Sequence, residues 1–232
     1  MVEKEILEKL KLLCKQLEND SFESLEGIAY VNALYNTFPL KNKNDFPFLE
    51  RDILLQPQFK DFKFPGMSEF IPTCILEAKP MTIKNNEKYN EKIIVKNFLT
   101  KEGENIFYKK LGILYLITCL INNKEYIIKF GQSRTNFKLR LQSYNCGAVS
   151  NFRTASTTNF KILQSFVANR RQFKLYLIDC SEPKTYIWHN ITSIPFTSSK
   201  SLAYEDIIIK EFIKQFNRKP LGNIQSNSTE IK

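Results

Sequence analysis

Residues 111–131 hold the feature that most restricts how this chain can fold. Two β-rich runs, Leu111–Ile121 (LGILYLITCLI) and Glu125–Gly131 (EYIIKFG), flank the polar triplet Asn122-Asn123-Lys124. Branched and aromatic residues on either side of a short asparagine-bearing turn specify a β-hairpin. Alternation along the first run sets Tyr115 on the same face as Ile113 and Ile117.

The pattern stays sharp beyond the hairpin. Arg134–Tyr144 reads as a helix, Phe173–Cys180 (FKLYLIDC) as a third strand, and Ser201–Phe216 (SLAYEDIIIKEFIKQF) as a second helix. Ser201 is a cap candidate for that helix, and Pro220-Leu221-Gly222 lies beyond its end. Residues 145–172 and 181–200 read as two insertions, the first with a short helix near Asn159–Asn169. Upstream, residues 3–19 form an amphipathic pattern in which Ile6, Leu7, Leu10, Leu13 and Leu17 recur at helical spacing. Proline and aromatic punctuation across residues 20–100 argues for short elements and ordered loops, and Lys84–Lys92 reads as a solvated loop. No internal repeat is present.

The last helix carries a chemical signal. Ile208, Ile209, Phe212, Ile213 and Phe216 define its apolar stripe at 100° per residue, and Glu205 falls in the centre of that stripe. Asp206, Lys210, Glu211 and Lys214 do not. A carboxylate on a buried face is costly unless it is paired or bound to a cation. A hard divalent ion with a largely aqueous shell is a natural partner. A first-turn capping role for Glu205 is the competing reading, and Glu211 is the second choice as ligand.

Composition narrows the partners. Hydrophobic residues at 43% and charged residues at 25% are ordinary globular values. No run of about 18 apolar residues exists, which excludes a transmembrane helix. The first residues lack the apolar centre of a secretory signal, so a cytoplasmic protein is expected. Cys14, Cys74, Cys119, Cys146 and Cys180 lie far apart, and His189 is the single histidine, which leaves little basis for a Cys/His zinc site. There is no phosphate-cradling GxxxxGK[ST] and no HExxH, and His189 has no persuasive triad partner. The formal charge of +10 favours a polyanionic partner, although the abundance of Lys, Asn and Ile also fits an AT-rich genome.

The order hairpin, helix, strand, helix over residues 108–225 resembles the GIY-YIG nuclease domain. Ile113-Leu114-Tyr115-Leu116-Ile117-Thr118 is similar to the family's G-I-Y-x-I-T segment, with Gly112 one position early. Lys129-Phe130-Gly131-Gln132-Ser133 is similar to Y-I-G-x-S, with Lys129 in place of the second tyrosine, as in branches that read K-I-G. Arg140 follows Ser133 by seven residues, as the family's catalytic arginine does, and Leu139–Tyr144 resembles the R-x-x-S-Y segment of excision-repair members. Glu205 sits on the helix that holds the family's metal-binding glutamate. Lys219-Pro220-Leu221-Gly222-Asn223 resembles its P-x-x-N ending, with Asn217 as a fallback.

The resemblance implies an α+β fold, a three-stranded antiparallel sheet flanked by helices. Residues 1–107 would be a mainly helical or irregular extension for DNA recognition or dimerisation, residues 108–225 the nuclease domain with its two insertions, and residues 226–232 a tail. It implies metal-assisted phosphodiester hydrolysis by Tyr115, Lys129, Arg140, Glu205 and Asn223, with Tyr144 and Ser133 as accessory groups. Glu205 would hold Mg²⁺ or Mn²⁺, Arg140 would clamp the phosphate, and the amide of Asn223 would orient the phosphate or the metal's water. The sequence leaves open whether Lys129 or Tyr115 takes the proton. Arg134, Lys138, Arg153, Arg170 and Arg171 are candidate DNA contacts. Only nine residues follow Asn223, which suits a compact, homodimeric restriction endonuclease acting on double-stranded DNA better than a homing or repair enzyme with appended domains. A non-catalytic DNA-binding module is the main alternative, and an aromatic-rich protein-interaction module a weaker one.

Overall fold

A computed structural model describes residues 46–79, 91–149, 154–181 and 200–224, together with Glu8 and Leu34. In chain order its regular elements are α1 (Glu50–Leu54), two 3-10 turns (Phe59–Asp61 and Pro65–Glu69), β1 (Ile71–Lys79) and β2 (Lys92–Phe98). There follow α2 (Lys101–Lys109), β3 (Ile113–Ile121), β4 (Lys124–Ser133), α3 (Phe137–Asn145), α4 (Thr157–Asn169), β5 (Phe173–Asp179) and α5 (Lys200–Phe216). No helix among the described residues is long and apolar enough to cross a membrane.

The hairpin forms where the sequence requires it. Asn122 and Asn123 adopt φ of 50° and 60°, the left-handed pair that a two-residue I′ turn needs and that asparagine tolerates. β3 then pairs with β4 on one side and β5 on the other. It is almost wholly buried along its length, as expected of a central strand covered on both faces. Ile113, Tyr115, Ile117, Cys119 and Ile121 point into one core and Leu114 and Leu116 into the other. The first core is closed by α2, α3 and α4. The second is closed by α5, whose Ile208, Ile209 and Phe212 pack on Phe130 and Phe62.

One expectation is corrected. The sheet has five antiparallel strands in the order β2-β1-β5-β3-β4, not three. The extra strands arise in the region read as mainly helical or irregular, and the β1–β5 pairing carries the sheet across the 107/108 boundary without a break. Register shifts at Ile75/Leu76 and between Pro72 and Cys74 interrupt the period of two, which hides both strands from a pattern search. Pro72 is tolerated because it stands at the strand's start. The helix expected near Asn159–Asn169 is present and slightly longer, Thr157–Asn169. It is part of the core, with Ile162, Leu163, Phe166 and Val167 buried in the first core, where α4 packs on β1, β2 and α3.

The loop expected at Lys84–Lys92 ends differently as well. Lys92 opens β2, and Glu91 is buried, accepting hydrogen bonds from the Val149 amide and from Gln164 Nε2. The helix expected at residues 3–19 lies outside the described residues except for Glu8, which is helical. Leu34 is helical too and fully buried in the first core.

Phe166 tests how far α4 belongs to the core. Its ring stacks on Phe173 of β5 at 3.7 Å between centroids. Phe166→Ala is expected to cost about 3–5 kcal/mol in urea unfolding, whereas a cost under about 1 kcal/mol would show that α4 lies outside the cooperative core.

Candidate active site

The centre of the site is a buried phenol. Tyr115 has no exposed surface, and its hydroxyl needs partners within the protein. It finds two, both on α3. Tyr115 Oη and Tyr144 Oη lie 2.6 Å apart, and Arg140 Nε donates to Tyr115 Oη at 3.2 Å. Arg140 Nη2 donates to Tyr144 Oη at 3.3 Å, and the guanidinium lies over the Tyr144 ring at 4.5 Å from its centroid. Asn136 caps α3 by accepting from the Leu139 amide, which fixes the turn that presents Arg140.

Gly131 is directly opposite Tyr115 in the β3–β4 ladder. A Cβ there would overlap the end of the Tyr115 ring, so the glycine of the KFG segment is the floor on which the phenol lies. Phe137 meets the same ring edge-on at 5.2 Å.

Lys129 reaches this face through a β-bulge. Ile117 pairs with Lys129 and Thr118 with Ile127, so Ile128 is the extra residue of β4. Bulges commonly re-aim a side chain beside a functional site. Here the bulge places Lys129 opposite Ile117, two ladder positions from Tyr115. Lys129 is buried, and its Nζ donates to the Gly222 carbonyl at 2.7 Å. Burial pulls its pKa from 10.5 down to about 8, with the Glu205 carboxylate opposing the shift and Arg140 adding to it.

Glu205 completes the cluster from α5. It is partly buried, and burial raises its pKa, while Lys129 and Arg140 act in the opposite direction. Its charge is felt at Tyr115 as well. Glu211, the second choice, instead faces Gln215 and Lys214. Burial raises both tyrosines, Tyr144 the more strongly. Arg140 stays firmly cationic: burial works against its charge, and the two tyrosines outweigh it.

Among the described residues no group of three or more His, Cys, Asp or Glu gathers as a metal site. A single half-buried carboxylate suits an ion that keeps several waters and takes further oxygens from its substrate, as Mg²⁺ does. The donor set at Glu205 therefore fits that kind of ion and not a fully protein-ligated one.

Comparison with family profiles finds no match, and no curated protein matches the sequence. Among solved structures, restriction endonuclease HPY188I in complex with product DNA aligns with a TM-score of 0.51 and 30% sequence identity. The alignment covers 82% of this chain and 99% of that one. The chain belongs to this restriction endonuclease family. Nearly the whole of that family member therefore has a counterpart here.

The remaining candidates from the sequence are placed less centrally. Asn223 is buried and lies beside β4, where its Oδ1 accepts from the Phe130 amide at 3.0 Å and its Nδ2 donates to the Phe130 carbonyl at 2.8 Å. Both ends of its amide are thus engaged by backbone. Asn217 ends α5 in the left-handed region, a cap position. Ser133 Oγ pairs with Thr135 Oγ1 and accepts from the Thr135 amide, stabilising the turn into α3. Arg134 and Lys138 are exposed, Lys138 over the Tyr108 ring. Arg170 is the left-handed C-cap of α4 with its terminal guanidinium nitrogens buried, and Arg171 is paired with Glu50. These two sit past the Phe173 end of β5, whose ladder partner Cys119 is already four residues, roughly 13 Å, along β3 from Tyr115. Arg153 and His189 lie outside the described residues. The Gly222 carbonyl, which pure sequence reading passed over, has its only signal in the glycine of Pro220-Leu221-Gly222-Asn223.

Lys129 gives a signed pH dependence. Its pKa is lower in the folded chain, so the unfolded chain binds the extra proton between pH 8 and 10.5. Stability contributed by this residue is therefore lost as pH falls through 8 and regained towards 10.5. Relative to Lys129→Met, the metal-free native chain should gain up to about 3 kcal/mol across that window in urea titrations. A pH-independent difference between the two proteins would show that Lys129 is not held in an environment hostile to its charge.

Proposed function

We propose that the protein is a site-specific double-stranded DNA endonuclease, a restriction enzyme of the GIY-YIG type, with its reaction centre at Tyr115, Lys129, Arg140, Tyr144 and Glu205. What carries the reading is the gathering of these residues from two strands and two helices, Tyr115, Tyr144 and Arg140 joined by hydrogen bonds and Lys129 and Glu205 coupled to them by charge. Membership of the restriction endonuclease family supports it, as does the +10 formal charge. The solved relative is bound to product DNA.

The two candidate bases differ in how burial treats them. Tyr115 is held protonated, whereas Lys129 is driven towards the neutral amine. Lys129 is therefore the group that takes the proton from an attacking water, and Tyr115 orients that water through its hydroxyl. Arg140 is permanently charged and fixed by two phenols, so it meets a phosphate with its geometry already set. Its role is to neutralise charge growing on the phosphate's equatorial oxygens. Glu205 is the residue that would hold Mg²⁺ or Mn²⁺, which supplies Lewis-acid polarisation of the phosphate and stabilisation of the departing 3′ oxygen. Arg134 and Lys138, exposed at the entry to α3, are the phosphate contacts nearest this centre in sequence. One such centre cuts one strand, so cleavage of both strands of a symmetric site calls for a homodimer.

Incubation of the purified chain with unmethylated phage DNA and Mg²⁺ is expected to yield discrete fragments, absent with EDTA. Glu205→Ala should lower the cleavage rate by at least about 10³-fold while retaining DNA affinity. Binding without cleavage by the unaltered chain, under Mg²⁺ and Mn²⁺ alike, would make it a DNA-binding module. Full activity in Glu205→Ala would remove the assigned metal ligand.

A further inference from the structure

β4 is an edge strand, and the outer side of its bulge is where Lys129 departs for the site. The backbone beside that bulge is covered by the segment that follows α5. Gly222 N donates to the Ile128 carbonyl at 2.9 Å. The Asn223 side chain takes both the amide and the carbonyl of Phe130. Residues on either side of Lys129 are therefore bound by one short stretch of chain, and the Gly222 carbonyl then accepts from Lys129 Nζ itself at 2.7 Å.

Edge coverage alone does not require this arrangement. Nearer the hairpin turn the same edge is covered by Pro57 and Gln58 through backbone alone, with Ile127 N donating to the Pro57 carbonyl and Gln58 bridging to Tyr126. At Ile128–Phe130 the chain instead uses a buried asparagine side chain and a glycine. The glycine is needed for close approach: a Cβ on Gly222 would stand 2.9 Å from Lys129 Cβ and 3.0 Å from Ile162 Cδ1. Only a residue without a side chain leaves room there for the lysine stem.

We propose that Pro220–Asn223 is a clamp that sets the position of Lys129, and that Gly222 and Asn223 are positioning residues that act on the reaction through it. This rests on the nuclease reading above, in which Lys129 handles the proton of the attacking water. Asn223 then serves catalysis from the back of β4 without touching phosphate or metal. The clamp also joins the two ends of the site. α5 carries Glu205, and after its left-handed end at Asn217 the chain returns within a few residues to grip the strand that carries Lys129.

Two variants, Asn223→Ala and Gly222→Ala, test the clamp by two readouts. The first is competitive acylation of amines by acetic anhydride on the full chain, without DNA or metal, read residue by residue by mass spectrometry. In the unaltered chain Lys129 should react at least about tenfold more slowly than exposed Lys138, and each variant should close most of that gap. The second is single-turnover DNA cleavage in Mg²⁺ beside DNA affinity in EDTA. The cleavage rate should fall by about 10²-fold with affinity within about threefold. Unchanged Lys129 acylation in both variants overturns the clamp, as does an unchanged cleavage rate. Loss of DNA affinity in step with the rate overturns it too, since Asn223 would then be a DNA contact. If Asn223→Ala does not fold, as judged by circular dichroism, Gly222→Ala carries the same readouts. An unaltered chain that cuts no DNA removes the nuclease reading, and the acylation result still decides whether the clamp holds Lys129.

Discussion

A hydroxyl buried among hydrocarbon must be hydrogen-bonded from within, and Tyr115 imposes that condition on half of the molecule. Its ring is placed by the β3–β4 ladder over Gly131, where no side chain fits. Its oxygen then needs α3 at one distance and one rotation, because both of its partners, Tyr144 and Arg140, are a helical turn apart on that helix. Docking α3 in this way aims the guanidinium without any further device. The same contacts that remove the cost of a buried phenol orient the cation, so packing and site geometry are one arrangement here.

The sheet edge is the second constraint. A strand with one free side invites pairing with another chain, and β4 is covered in two sections, by Pro57–Gln58 near the turn and by Gly222–Asn223 at the bulge. The bulge itself is what allows both Ile128 and Lys129 to turn towards the first core. A regular strand would send one of them to the opposite face. Irregularity in β4 is thus tied to where the ammonium lies.

Legibility in the sequence followed the same physics. The hairpin was readable because Asn122 and Asn123 satisfy a local requirement that few residues meet, and α5 because the apolar residues of its stripe recur at helical spacing over Ile208–Phe216. Glu205 stood out for breaking that stripe, a purely one-dimensional signal. β1 and β2 were not readable, since bulges scramble their alternation and β1 is held in the sheet by β5, about a hundred residues on. α4 was located, but its burial was not, because the packing of one helix face depends on residues distant in sequence. The Gly222 carbonyl left almost no trace, as backbone groups carry no letter. Arg170 and Arg171 drew attention by charge alone, and charge does not say whether a guanidinium faces solvent, a glutamate or the interior.

The charge balance of the cluster has a consequence for stability. Two cations, Lys129 and Arg140, share a poorly solvated region with one carboxylate, Glu205. Each cation disfavours the other's charge, and the carboxylate compensates only part of the imbalance. A protein selected for stability alone would replace Lys129 with a residue of similar length and no charge. The arrangement is instead matched to an anion that approaches from outside and brings the total towards neutrality, as a phosphodiester would. Functional sites are where sequences depart from the locally most stable choice. The depressed pKa of Lys129 and the raised pKa of Glu205 are two expressions of that departure, because burial makes each group lean towards its neutral form while the other's charge holds it back.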